Sequence, residues 1–130
     1  MENILVPVSP GEVLDKITIL EIKSERMSDP DKLENVRREL ELLRETWSRS
    51  VPADATVERI HDQLKRINES LWVIEDDIRD KERLKEFDER FVELARSVYF
   101  NNDERARLKK ELNTHLGSAI IEEKSYQDYS

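Results

Sequence analysis

Val57, Ile60, Leu64, Ile67, Leu71, Ile74 and Ile78 recur in steps of three and four, the spacing that lines one stripe of an α-helix for burial against other helices. The stripe predicts a long helix over 57–78 as the spine of the fold. Upstream, Ser9, Pro10 and Glu12 resemble a helix start: a hydroxyl cap, proline at the first helical position and a carboxylate that reaches back. They open a helix predicted over 10–27. Its Val13, Leu14, Ile17, Ile19, Leu20 and Ile22 spread nearly all round the axis, which implies neighbours on several sides and makes this the most buried helix. Asp29 and Pro30 repeat the cap-then-proline pattern and open a second helix over 30–48, with its stripe on Leu33, Val36, Leu40, Leu43 and Trp47. The short connection sets these two helices antiparallel.

Residues 48–56 read as a linker, with Pro52 inside it and Asp54 or Thr56 as the cap of the spine. After Ile78 the stripe lapses, which places a break near 80–86. Leu84, Phe87, Phe91, Leu94 and Val98 resume the spacing as a fourth helix ending about residue 100. Asn101, Asn102 and Asp103 form a turn between this and a fifth helix through Ala106, Leu108, Leu112 and Leu116, which Gly117 closes. Residues 4–8 hold Ile4, Leu5, Val6 and Val8, but Pro7 and Pro10 limit them to a short extended segment. The tail, 118–130, carries Ile120, Ile121, Tyr126 and Tyr129 and is expected to dock. The pattern predicts an all-α, antiparallel bundle of about five helices with a short extended N-terminal segment, in a single domain over 1–130.

Composition narrows the function classes. The 130 residues carry 30 acidic and 22 basic side chains, a net charge of −8. With no basic block to displace counterions from phosphates, the chain is a poor nucleic-acid binder. It has 0 cysteines, which fits a reducing compartment and excludes thiol chemistry. The proline-broken start does not read as a signal peptide, and no apolar run reaches the roughly 20 residues of a membrane span. A cytoplasmic location without membrane insertion is the expectation.

Four stretches, PGEVLDKITILEIK (10–23), LWVIEDDIR (71–79), VYFNNDERARLK (98–109) and GSAIIEEKSY (117–126), resemble a family of small bacterial all-helical proteins. That family is a domain of unknown function, sometimes encoded near glycosyltransferases for surface polysaccharides. The similarity runs along almost the whole chain. It implies a bacterial source and one compact domain, and no activity.

The residues assemble into no catalytic or metal-binding signature. Glu75, Asp76 and Asp77 are the densest acidic patch, yet consecutive helix positions point about 100° apart and do not converge on one cation. All-helical nucleotide pyrophosphatases use Glu pairs one turn apart on facing helices. Glu86 with Glu89, and Glu12 with Asp15, have that spacing, but the first pair falls at the break and the second at a helix start, where acids complement the dipole. A mutase of the chorismate type also begins with a helix like LDKITILEIKSER (14–26), but only Arg26 supplies a matching cation. His61 and His115 are isolated and read as surface residues. No metal and no cofactor are implied.

What the sequence does offer is a polar flank beside the spine. On the wheel of the first helix Glu21 falls between Ile17 and Leu14, and Lys16 between Ile19 and Leu20. A charge so placed needs a partner, since losing water costs several kcal/mol. Together with Asn68, Trp72, Glu75, Arg79, Asn102, Asp103, Arg105, Lys124 and Tyr126, these residues define a candidate groove. In it Arg79, Arg105 and Lys124 would hold an anionic small molecule, because a guanidinium fork matches carboxylate and phosphate oxygens. A competing role for Glu75 and Arg79 is an ordinary pair one helical turn apart. The expectation is a non-catalytic binding or assembly module, with a homo-oligomer or another protein as partner. The alternative is a small enzyme, with or without a metal, acting on a phosphorylated or nucleotide-sugar metabolite in surface polysaccharide metabolism.

Overall fold

The computed structural model describes residues 1–129, and Ser130, the last residue of the predicted tail, lies outside the described residues. The described chain is all-helical, without strands, and holds four helices: α1 (Pro10–Arg26), α2 (Pro30–Ser50), α3 (Ala55–Leu84) and α4 (Glu89–His115). Each starts on a side chain that accepts from an otherwise orphaned backbone N–H. Ser9 accepts from Glu12 N, Asp29 from Asp31 N, Asp54 from Val57 N and Asp88 from Phe91 N. Pro10 and Pro30 stand at the first helical positions of α1 and α2.

α1 is the hub. It packs against all three other helices, α3 and α4 pair with each other along their lengths, and α2 rests on α1. One apolar cluster joins Leu14 of α1 to Val57, Ile60 and Leu64 of α3 and Leu108 and Leu112 of α4. A second joins Ile17 and Leu20 of α1 to Val36 and Leu40 of α2, and Trp47 packs against both. The spine stripe is buried in its first half and at Leu71, while Ile74 and Ile78 are half-buried.

The break expected near 80–86 is present: the spine runs on to Leu84, and the chain reverses over residues 85–88, with Lys85 in the left-handed region at φ 56°. One expectation is corrected. The predicted fourth and fifth helices are one. Asn101, Asn102 and Asp103 sit inside α4, because their side chains find partners other than the helix's own free N–H groups. Asn101 Nδ2 donates to the Ser97 carbonyl one turn back, Asn102 Oδ1 accepts from Arg105, and Asp103 accepts from Tyr129. With no glycine or proline to interrupt it, the backbone ladder continues. Gly117 ends the segment at φ +65°, and Ser118 N bonds Asn113 O at 2.8 Å to close the left-handed cap.

Candidate functional site

The polar centre of the molecule is a line along α1 made by Gly11, Asp15 and Thr18, positions four and three apart that share one face. All three are buried, Asp15 to 3% exposure. A carboxylate taken from water needs charge and hydrogen bonds in return. Arg105 of α4 supplies both, with Nε to Oδ1 at 2.8 Å and Nη2 to Oδ2 at 2.5 Å. Asn68 of α3 adds a donor, its Nδ2 lying 2.9 Å from Asp15 Oδ1 and 3.0 Å from Thr18 Oγ1. The Asp15 hydrogen bond raises the Arg105 guanidinium further above its already high value, against the opposing pull of burial. One carboxylate therefore ties three helices together.

One turn earlier on the same face, the Gly11 backbone N–H donates 2.7 Å to Asn113 Oδ1 on α4. A Cβ on Gly11 would lie 2.7 Å from the Lys109 carbonyl oxygen, so only glycine lets α1 and α4 approach this closely. Lys109 is itself 12% exposed and bonds Glu12 at 2.5 Å and Glu122 of the tail at 3.2 Å. Burial works to lower its ammonium, but Glu12 and Glu122 outweigh it and hold the group above the usual lysine range.

Arg105 and Asn102 stand between two concavities. One, of 660 Å³, lies between α4 and residues 118–129 and is lined by Tyr99, Tyr126 and Tyr129 together with Arg105, Lys109 and Lys124. Tyr129 closes it by an edge contact with Tyr99 at 5.2 Å and a hydrogen bond to Asp103 that pushes its phenol up to about 12. Lys124 lies 5.5 Å from the Tyr126 ring centre, and its ammonium is 3.2 Å from Glu122. The other, of 430 Å³, runs between α1 and α3 over an apolar floor of Ile19, Ile22, Leu71 and Trp72.

The eleven residues expected in one groove thus fall in four places. Asn102, Asp103, Arg105, Lys124 and Tyr126 line the tail cavity. Asn68, Trp72, Glu75 and Arg79 line the second concavity beside Asn102 and Arg105. Arg79 and Lys124 share neither, because α4 separates the spine flank from the tail, and Arg79 pairs with Glu75 on its own helix. Lys16 lies apart on Glu39 of α2 at 2.7 Å.

Glu21 is also elsewhere, half-buried where α1 meets α2 and α3, with Arg44 at 2.8 Å and His61 Nε2 at 2.7 Å. His61 is therefore no isolated surface residue. Burial pulls the Glu21 carboxyl upward, but the hydrogen bonds from His61 and Arg44 prevail and hold it below its ordinary value. The Glu21 hydrogen bond in turn raises His61. His115 bonds Asp54 at 2.9 Å.

The acidic pairs considered as metal ligands each face a cation instead: Glu86 faces Lys81, Glu12 faces Lys109 and Asp15 faces Arg105. Among the described residues no three acidic or histidine side chains gather at metal-ligand spacing. Sequence reasoning passed over Asp15, Thr18 and Asn113, since an acid in the first turns of a helix reads as a dipole complement. The available signal was the Gly11, Asp15, Thr18, Ile22 spacing on a helix with apolar residues all round.

A family model matches residues 4–129, from the extended start through the four helices and nearly all of the tail. The chain belongs to the family of unknown function DUF6165. The matched range includes Asp15, Arg105 and the residues that line the tail cavity. Neither a curated protein nor a solved structure matches the chain. Among the described residues no helix is long and apolar enough to cross a membrane.

Proposed function

We propose that the chain is a binding module that holds, without turnover, a small anionic ligand with a flat or ring-shaped part, in the cavity between α4 and the tail. The supporting observation is that Tyr99, Tyr126 and Tyr129 share 660 Å³ with Arg105, Lys109 and Lys124. Ammonium and guanidinium groups bond phosphate or carboxylate oxygens strongly, and aromatic faces take sugar or base rings. The volume lies within the usual range for small-molecule sites. A phosphorylated or nucleotide-linked sugar has both parts. The bacterial source and glycosyltransferase neighbourhood implied by the family resemblance suit such a ligand, and a chain with 0 cysteines suits the cytoplasm.

Thermal-shift and calorimetric titration with inorganic phosphate, a nucleoside diphosphate and a nucleotide sugar test the reading. Saturable binding by one of these, lost in Lys124→Ala and in Tyr126→Ala, is expected, with stabilisation of about 3 kcal/mol at a hundredfold excess over Kd. No binding at millimolar concentration overturns it. Binding lost in Arg79→Ala but kept in Lys124→Ala would move the ligand to the α1–α3 concavity. Release of product in the same mixture would replace the module with an enzyme.

A further inference from the structure

The first eight residues form an arm without helix or strand, exposed throughout and pinned at its base by Ser9, whose own backbone is extended. Ser9 is buried and caps α1, and Gly11 is bonded to Asn113. Beyond that anchor Ile4, Leu5, Val6 and Val8 are exposed, Leu5 to 91%. Among the described residues, none of 1–8 takes part in a backbone hydrogen bond. An extended segment with apolar side chains on both faces reads as a strand covered from both sides, and its unpaired N–H and C=O groups ask for a neighbouring strand. The described residues contain no strand to pair with. The complement that the chain itself supplies is the same arm on a second copy.

Three further observations favour that occupant. The arm borders a cavity of 1270 Å³ walled by α1 and α2, where Val13, Ile19, Leu42 and Leu43 form an apolar strip flanked by charged side chains, Lys16, Arg38, Glu39 and Glu41 among them. A two-stranded ribbon is marginal alone and needs such a surface to pack on. Residues 3–11 carry no charged side chain, so pairing of two arms sets no like charges face to face. Pro7 then decides the edge. Successive residues of a strand direct their N–H groups to opposite edges, so Ile4, Val6 and Val8 share one edge and Leu5 and Pro7 the other. Pro7 lacks a donor and belongs on the open edge, where it also blocks a third strand.

We propose that the arms of two copies pair as antiparallel strands through the Ile4, Val6 and Val8 edge, about a two-fold axis at Val6, each arm packing on the α1 and α2 surface. Val6 then faces Val6 of the second copy as a hydrogen-bonded pair, and Ile4 faces Val8.

Light scattering on the full chain is expected to report a dimer. Val6→Pro removes both symmetric hydrogen bonds and raises the dissociation constant about tenfold or more, whereas Leu5→Pro, on the open edge, leaves the dimer in place. Because the chain has 0 cysteines, Val6→Cys should oxidise to a covalent dimer and Val8→Cys should not. Circular dichroism verifies that each variant keeps its helices, which lie outside the arm. A monomer at every concentration overturns the pairing and leaves the arm to the sheet edge of another protein. A dimer equally insensitive to both prolines, or cross-linked equally from both cysteines, overturns it as well.

Discussion

Arg105 grips both oxygens of the Asp15 carboxylate across 90 positions of sequence, at 2.8 and 2.5 Å. The pair joins the middle of α4 to the second turn of α1 inside the molecule, where breaking it is costly. Arg105→Ala leaves a buried carboxylate without its counter-charge and should destabilise the fold by about 3–5 kcal/mol. Asp15→Asn combined with Arg105→Gln should cost clearly less than the sum of the single changes. Urea unfolding of the four species measures the coupling, and additive effects would mean that the two groups do not act as a unit.

Gly11 offers a second test of the same crossing. The side chain of Gly11→Ala would meet the Lys109 carbonyl oxygen at 2.7 Å, and a backbone atom in the middle of a helix cannot step aside as a flexible side chain does. The expected loss is about 1–3 kcal/mol. An unchanged Tm would show that α1 and α4 are free to separate there.

The Glu21–His61 pair gives the fold a pH dependence with a defined sign. His61 is raised in the folded state by its hydrogen bond to Glu21. Its contribution is therefore complete below the ordinary histidine value of 6.5 and is lost as pH rises through the elevated folded value. Glu21, held low in the folded state, contributes fully above the ordinary 4.5 and loses its share as pH falls through the depressed value. Between those limits the pair is at full strength. Above them Tm should fall by roughly 4 °C or less, the scale of a partly exposed pair, and His61→Gln should flatten that slope in a calorimetric pH series.

Glu122 bears on the proposed ligand. Its carboxylate lies 3.2 Å from Lys109 and 3.2 Å from Lys124, so an internal anion already occupies the cations that a phosphate would use. A ligand must displace it. Glu122→Gln should tighten phosphate binding by up to about fivefold, the worth of an exposed ion pair, read by isothermal titration. Weaker binding in that variant would make Glu122 part of the ligand's own support.

The helices were legible because their signals are local. The Val57 to Ile78 spacing, the caps at Ser9, Asp29 and Asp54 and the Gly117 stop each need only a few neighbouring residues to be read. Asn101 to Asp103 misled for a physical reason: the side chains that cap a helix also bond the carbonyl one turn back, and only the tertiary partners Arg105 and Tyr129 decide between these uses. The site was less accessible. Arg105 stands out in the sequence as a candidate cation, but its Asp15 partner lies 90 positions away. The division of the candidate groove into two concavities depends on the path of the tail, which residues 118–129 follow through long-range contacts such as Tyr129 with Asp103.

Because the backbone of α2 approaches α1 alone, and α2 reaches the α3–α4 cluster through Trp47, it can detach while Leu14, Leu64 and Leu112 stay packed. Amide exchange should accordingly be graded. The α2 amides exchange through a partial opening of low free energy, and those around Ile60 and Leu112 only through global unfolding. A shorter-lived helix is thus built in at the wall that the N-terminal arm borders, and covering that wall would lengthen its life.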